Sequence, residues 1–160
     1  MSDDLRAHLA RALEWHEAHA TFDQAVADVP LASRGAVAPG FAHTLWQMLE
    51  HIRIAQFDLL DFCANPSYAH TMRWPDDYWP PTPVPPDAAA WDASIAGCLR
   101  DRDALEALVL SDRFDLMAPV PTGKPAQTGL RAILLTIDHN AYHVGQMVAL
   151  RKALGIWNPS

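Results

Sequence analysis

Cysteine is scarce in this chain, with only Cys63 and Cys98 among 160 residues. They form neither a CxxC element nor a disulfide framework, which points to a reducing compartment. The opening Met1-Ser2-Asp3-Asp4 carries no basic segment followed by an apolar one, so no export signal is read there and a cytoplasmic protein is expected. Basic residues are also few: 12 Lys and Arg stand against 19 Asp and Glu, for a net charge of -7. A surface for nucleic acid or anionic membrane needs clustered cations, and this balance argues against both. No apolar run approaches 18 residues, which excludes a membrane span. GxSxG, P-loop and GxGxxG motifs are missing, which removes the simplest serine-hydrolase, nucleotide-hydrolase and dinucleotide readings.

What is abundant is apolar surface and proline. Half the residues are apolar, enough for one domain over residues 1–160 with a sizeable core and no structural staple. Of the 13 prolines, all but Pro159 gather in three breaks, at Pro30–Gly40, Asn65–Pro86 and Asp112–Gly129. Four proline-free segments remain, over roughly 3–28, 41–64, 87–111 and 127–155. None alternates like a half-buried strand, so each is read as a helix. Asp87 before Ala88-Ala89-Ala90-Trp91 reads as an N-cap, and Gly155 with Pro159 reads as a stop. The expected fold is all-α, an antiparallel four-helix bundle with a long Pro/Trp-rich connection between its second and third helices. That connection carries Trp74, Tyr78 and Trp79, too many aromatics for a strand of disordered chain, and it is expected to fold onto the bundle over a site.

Eight histidines supply the chemistry. His139 and His143 stand at i, i+4 in the fourth segment, so on a helix both rings reach one cation. The spacing alone decides little; the surroundings decide more. The segment is apolar almost all round (Leu130, Ile133, Leu134, Ile137, Val144, Val148), which predicts a central helix with little water on any side. Buried imidazoles there, with Gln146 in the same sector, need partners, and a divalent cation satisfies both at once. His51, midway along the second helix among Met48, Ala55 and Phe62, is the best third ligand. Three neutral imidazoles leave a cation its full charge and an open position, the pattern of a reactive centre.

Other residues rank lower. His16 and His19 fall on the stripe Leu5, Leu9, Ala12, Phe22, Val26 that the first helix should bury. They read as a polar end of that face bonded to carboxylates or as a pair near the metal or substrate. Gln146, Asp138 and Asp58 are lower-ranked candidates for supporting the metal ligands or lining the substrate pocket, and the two aspartates read equally as solvated helix residues. His43 reads as a solvent-exposed residue at the start of the second helix, and His8 and His70 as surface or loop. Asn140 stands in His139-Asn140-Ala141-Tyr142-His143 where a zincin needs its glutamate base, which disfavours peptide hydrolysis by that route. Cys63 and Cys98 lie on apolar faces and read as core, as do Trp15, Trp46 and Trp91.

The stretches Leu45-Trp46-Gln47-Met48-Leu49-Glu50-His51-Ile52 and Asp138-His139-Asn140-Ala141-Tyr142-His143-Val144-Gly145-Gln146, running on to Gly155, resemble the DinB/YfiT-like family of metalloenzymes. That resemblance implies a four-helix bundle with one metal-binding histidine from the second helix and an HxxxH pair from the fourth, matched here by His51, His139 and His143. It also implies a water at an open metal position. Its characterised members are transferases or isomerases that use bacillithiol, mycothiol or glutathione.

The sequence thus predicts a divalent-metal-dependent enzyme, transferase or hydrolase, activating a thiol or water. Zinc or nickel leads, with iron or manganese also accommodated. A low-molecular-weight thiol is the candidate co-substrate and a small molecule the substrate. A homodimer is expected from the surplus apolar surface of the fourth helix, and neither nucleic acid nor membrane is an expected partner. Two other readings stand beside it. The same metal can serve only to tie helices together in a non-catalytic binding or stress-response module, or the histidines can be satisfied core residues with no metal at all.

Overall fold

Caps drawn from the sequence set where the helices start. The computed structural model describes residues 3–14 and 16–158, and it is all-α. The helices are α1 (Asp3–Glu14), α2 (Phe22–Val26), α3 (Leu45–Ala64), α4 (Ala88–Leu110) and α5 (Gly129–Ala153), with 3-10 turns at Leu31–Ser33 and Asp76–Tyr78. Among the described residues there is no strand, only an isolated bridge between Pro119 and Thr128. Thr44, Asp87 and Thr128 cap α3, α4 and α5 by accepting from the N–H groups of Gln47, Ala90 and Arg131. At the far end of α5, Gly155 adopts φ 71°; its N–H bonds Lys152 O and that of Ile156 bonds Arg151 O, a Schellman stop. The readings that fell on Trp15 and Pro159 lie outside the described residues.

The first proline-free segment is not one helix. α1 ends at Glu14, the chain bends through Glu17–His19, and α2 begins afresh at Phe22. The cause is a capping box: Gln24 N–H donates to Thr21 Oγ1 at 3.1 Å and Thr21 N–H donates to Gln24 Oε1 at 3.0 Å. Satisfying two orphan donors at Thr21 favours a new start over a continued helix. The buried stripe expected through His16 and His19 is therefore cut, and both histidines are exposed.

α3 packs against α4 and α5, while α1 lies against α4 and α5 and α2 against α5. The main core joins Leu45, Leu49 and Ile52 of α3, Trp91 and Cys98 of α4, and Val144, Met147 and Leu150 of α5. A second cluster joins Leu9, Leu105, Val109, Leu116 and Ile133. Two buried arginines fasten the periphery through carbonyls. Arg6 donates to Val109 O, Ser111 O and Phe114 O at 2.5, 2.9 and 2.7 Å, where the end of α4 leaves carbonyls unpaired. Arg151 donates to Gln24 O and Ala25 O at 2.8 and 3.0 Å, holding α2 on α5.

α5 is not enclosed on all sides. Its apolar residues outnumber what its neighbours cover, so Leu134, Leu135 and Tyr142 remain 50%, 40% and 62% exposed on one face. Cys63, Cys98, Trp46 and Trp91 are buried, as their apolar faces predict. The α3–α4 connection folds back so that Tyr78 is buried against the bundle. Among the described residues no helix is long and apolar enough to cross a membrane.

Candidate metal centre

α3 and α5 bring His51, His139 and His143 together, with one nitrogen of each ring within 4.8 Å of the others. The i, i+4 spacing stacks His139 and His143 one turn apart, with ring centroids at 4.6 Å. His51 meets them from α3, its Nε2 at 3.0 Å from His139 Nε2. Histidine is the only titratable residue type in the cluster, so near neutrality it holds no formal negative charge.

Hydrogen bonds set which nitrogen of each ring is free. The Nδ1–H of His51 donates to the main-chain carbonyl of Tyr78 at 2.8 Å, and that of His143 donates to Gln146 Oε1 at 2.8 Å. Gln146 is fixed in turn by donating Nε2–H to Tyr142 Oη at 3.0 Å. With Nδ1–H committed, the lone pairs of His51 and His143 sit on Nε2 and point into the cluster. His139 Nδ1 lies 3.4 Å from Asn140 Oδ1, a loose contact. Asn140 itself is held firmly: it donates to Gln56 Oε1 at 2.7 Å, and Gln56 donates to Cys98 O at 2.7 Å. That chain joins α5 to α3 and α4 through the residue next to His139.

Burial keeps these rings neutral. His51 and His143 are each pushed down to about 4, chiefly by loss of solvent and then by the neighbouring histidines. For His51 the carbonyl of Tyr78 opposes the shift, and for His143 the Gln146 contact does. His139 is also lowered by burial, against the opposing effects of Asn140 and Asp138. Neutral imidazole is the form that ligates a metal, so the state of these rings is compatible with a bound cation.

The arrangement fits a metal on donor chemistry as well. Imidazole nitrogens bind zinc at about 2.0–2.1 Å, which places tetrahedral ligand atoms about 3.3 Å apart. The nearest pair here, at 3.0 Å, is slightly closer than that. Two Nε2 lone pairs at that distance repel unless a proton or a cation lies between them.

The surroundings are aromatic. Trp79 lies flat between His51 and His43, with ring centroids at 3.9 and 3.8 Å and planes tilted by 1° and 12°. His43 is thus half-buried in a stack, with its Nδ1 buried and unpartnered, and is not the solvent-exposed residue that its place at the helix start suggests. Trp74 and Tyr142 touch His51 and His143 edge-on or tilted, at 6.3 and 4.9 Å, while remaining 67% and 62% exposed.

The remaining candidates are scattered. Gln146 is in the site by its bond to His143. Asp58 accepts from Tyr78 Oη and Tyr68 Oη at 2.5 and 2.8 Å. Asp138 is exposed on α5 beside His139. His16 lies 3.5 Å from Glu14 and is exposed, and exposed His19 bonds the carbonyl of Ala20; neither joins the cluster. A family model of the DinB superfamily matches residues 14–147. The chain belongs to the DinB superfamily. That match takes in the three histidines and all of α2, α3 and α4, and leaves α1 before Glu14 and the last residues of α5 outside it. No curated protein and no solved structure gives a significant match. A helical fold and a three-histidine cluster in a DinB-superfamily chain fit a metal-binding protein.

Sequence reasoning placed Tyr78 and Trp79 on a connection expected to cover a site but did not pair them with His51 and His43, and it missed Gln56 as the partner of Asn140. A main-chain carbonyl leaves no trace in residue identity, so the Tyr78 bond had no signal. Asn140 was legible: an amide between two clustered histidines on an apolar helix must find a partner of its own.

Proposed function

We propose that this DinB-superfamily protein is a divalent-metal-dependent enzyme, transferase or hydrolase, with His51, His139 and His143 as its metal ligands. The observation that carries the reading is the convergence of three neutral rings whose outward Nδ1 protons, on His51 and His143, are already taken. Held by three uncharged ligands, a divalent ion keeps its full charge and an open position, and so favours the ionised form of a thiol or water brought to it.

The chain's own residues define what is brought. Cys63 and Cys98 are buried, and burial pushes both thiols up to about 12, so neither is a nucleophile at neutral pH. A thiol therefore comes from a small co-substrate. Trp74 and Tyr142 make an exposed aromatic rim against the ligand rings, suited to the apolar body of a small molecule. Trp79 seals one side of His51 from water. This exposed rim favours a reactive centre over a metal that only ties α3 to α5, since a structural tie has no use for a large exposed tryptophan beside it.

The test is turnover of thiol and electrophile pairs by zinc- and nickel-loaded protein, with and without chelator. Rates that fall to the uncatalysed level on chelation support the proposal. Equal rates in both, together with a large loss of melting temperature in His143→Ala, indicate the structural tie.

A further inference from the structure

Asp58 follows His51 on α3 by seven residues, two helical turns and about 10 Å along the axis, too far for the two side chains to meet. A residue from the proline-rich connection joins them. Tyr78 sends its hydroxyl to Asp58 Oδ2 at 2.5 Å while its main-chain carbonyl accepts the Nδ1–H of His51 at 2.8 Å. The other oxygen of Asp58 is taken by Tyr68 Oη at 2.8 Å. Tyr78 is only 6% exposed, and burial and the Asp58 bond both raise its hydroxyl pKa, so it stays a donor.

Tyr78 ends the short 3-10 turn Asp76–Tyr78 in a connection with seven prolines, and where that turn sits against α3 is set by whatever fastens it to the bundle. Trp79, stacked between His51 and His43, fastens one side of it, and the Tyr78 side chain fastens the other, anchored to a carboxylate on the same helix as His51. Without that anchor the carbonyl can drift from His51, and the ring is free to put its proton on Nε2, the nitrogen that faces the cluster.

We infer that Asp58 is a positioning residue for the metal centre, acting through Tyr78 to hold His51 in the tautomer whose Nε2 is free to bind. This rests on the metal-ligand reading of His51. It differs from simple loop fastening in one respect: the Asp58–Tyr78 bond sets the state of an imidazole it never touches.

The test compares Tyr78→Phe, Asp58→Asn, the double variant and a control, Tyr68→Phe, which removes the bond to the other Asp58 oxygen. Zinc affinity is measured by competition with a chromogenic chelator, and the His51 tautomer by long-range proton–nitrogen correlation spectra of the metal-free protein. Tyr78→Phe and Asp58→Asn should each weaken zinc binding about 10-fold. The double variant should be no weaker than either single one, because both remove the same bond. The His51 signal should move from the Nδ1–H form to a mixture. Tyr68→Phe should stay within about 2-fold of wild type by the same reasoning.

Unchanged affinity and tautomer in Tyr78→Phe overturn the inference, even if the melting temperature falls. So does an equal loss in Tyr68→Phe. If Asp58→Asn does not fold, Tyr78→Phe, which deletes one oxygen, decides alone. If the wild-type protein binds no zinc, the metal reading fails, and the tautomer spectra still test the positioning.

Discussion

Trp79 lies parallel to His51, ring over ring at 3.9 Å with 1° between the planes. An aromatic from the connection between α3 and α4 thereby forms one wall of a site whose three histidines sit on α3 and α5. The wall matters because the shift of His51 comes mainly from lost solvent, and Trp79 supplies part of that exclusion.

Removing the wall has a signed consequence. In Trp79→Ala, water reaches His51, and its pKa should rise from about 4 back towards the ordinary 6.5. The half-buried ring and its two stacks also contribute about 2 kcal/mol, which denaturant titration should register as a loss. A His51 titration that stays near its wild-type value would show that other groups exclude the solvent.

The depressed histidines make the metal-free protein sensitive to acid. Their folded pKa values lie below the unfolded value of 6.5, at about 4 for His51 and His143. As pH falls below 6.5 the unfolded chain takes up protons that the folded one refuses, so stability present above 6.5 declines until about pH 4. Urea midpoints of chelator-treated protein should drop steadily across that window. In His143→Ala the drop should be shallower, because one depressed group is gone. A flat profile would contradict the buried, neutral state of the cluster.

The bridge through Asn140 predicts a coupling. Gln56 accepts from Asn140 and donates to Cys98 O, so Gln56→Ala leaves the amide of Asn140 without its partner. The expected cost is about 1 kcal/mol, because the amide left without a partner is half-buried. Adding Asn140→Ala should recover part of it, giving a non-additive double-mutant cycle. Additive losses would show that the two amides do not act together.

His16 and His19 predict an absence of effect. Both are exposed and outside the cluster, so alanine at either position should leave metal affinity unchanged and stability within about 0.5 kcal/mol. A several-fold loss of metal in either variant would place them closer to the site than α1 and α2 do.

These outcomes mark what residue patterns carry. The four proline-bounded segments and their apolar faces led directly to α3, α4 and α5, because helix starts and stops are local chemistry: Thr128, Asp87 and Gly155 act on their own neighbours. The cluster was legible because i, i+4 histidines on an apolar helix need a common partner, and His51 is a buried histidine on the second segment. The break in the first segment was missed although its signal was present, since Thr21 and Gln24 hold the spacing of a capping box while the apolar stripe runs on past it. The open face of α5 was legible as a surplus of apolar residues, but not as Leu134, Leu135 and Tyr142, because periodicity records which residues are apolar and not which of them neighbours arrive to cover. His43, Trp79 and the Tyr78 carbonyl are tertiary relationships, made when a connection folds back, and no local rule foretells their registry.

The central claim is that His51, His139 and His143 share one divalent ion. The most direct measurement is metal content by elemental analysis after reconstitution with zinc and desalting, for the wild type beside His51→Ala and His139→Ala. The account predicts about one zinc per chain in the wild type and near zero in both variants, with helical content retained. A wild-type protein that retains no metal, or variants that retain as much as the wild type, would contradict it.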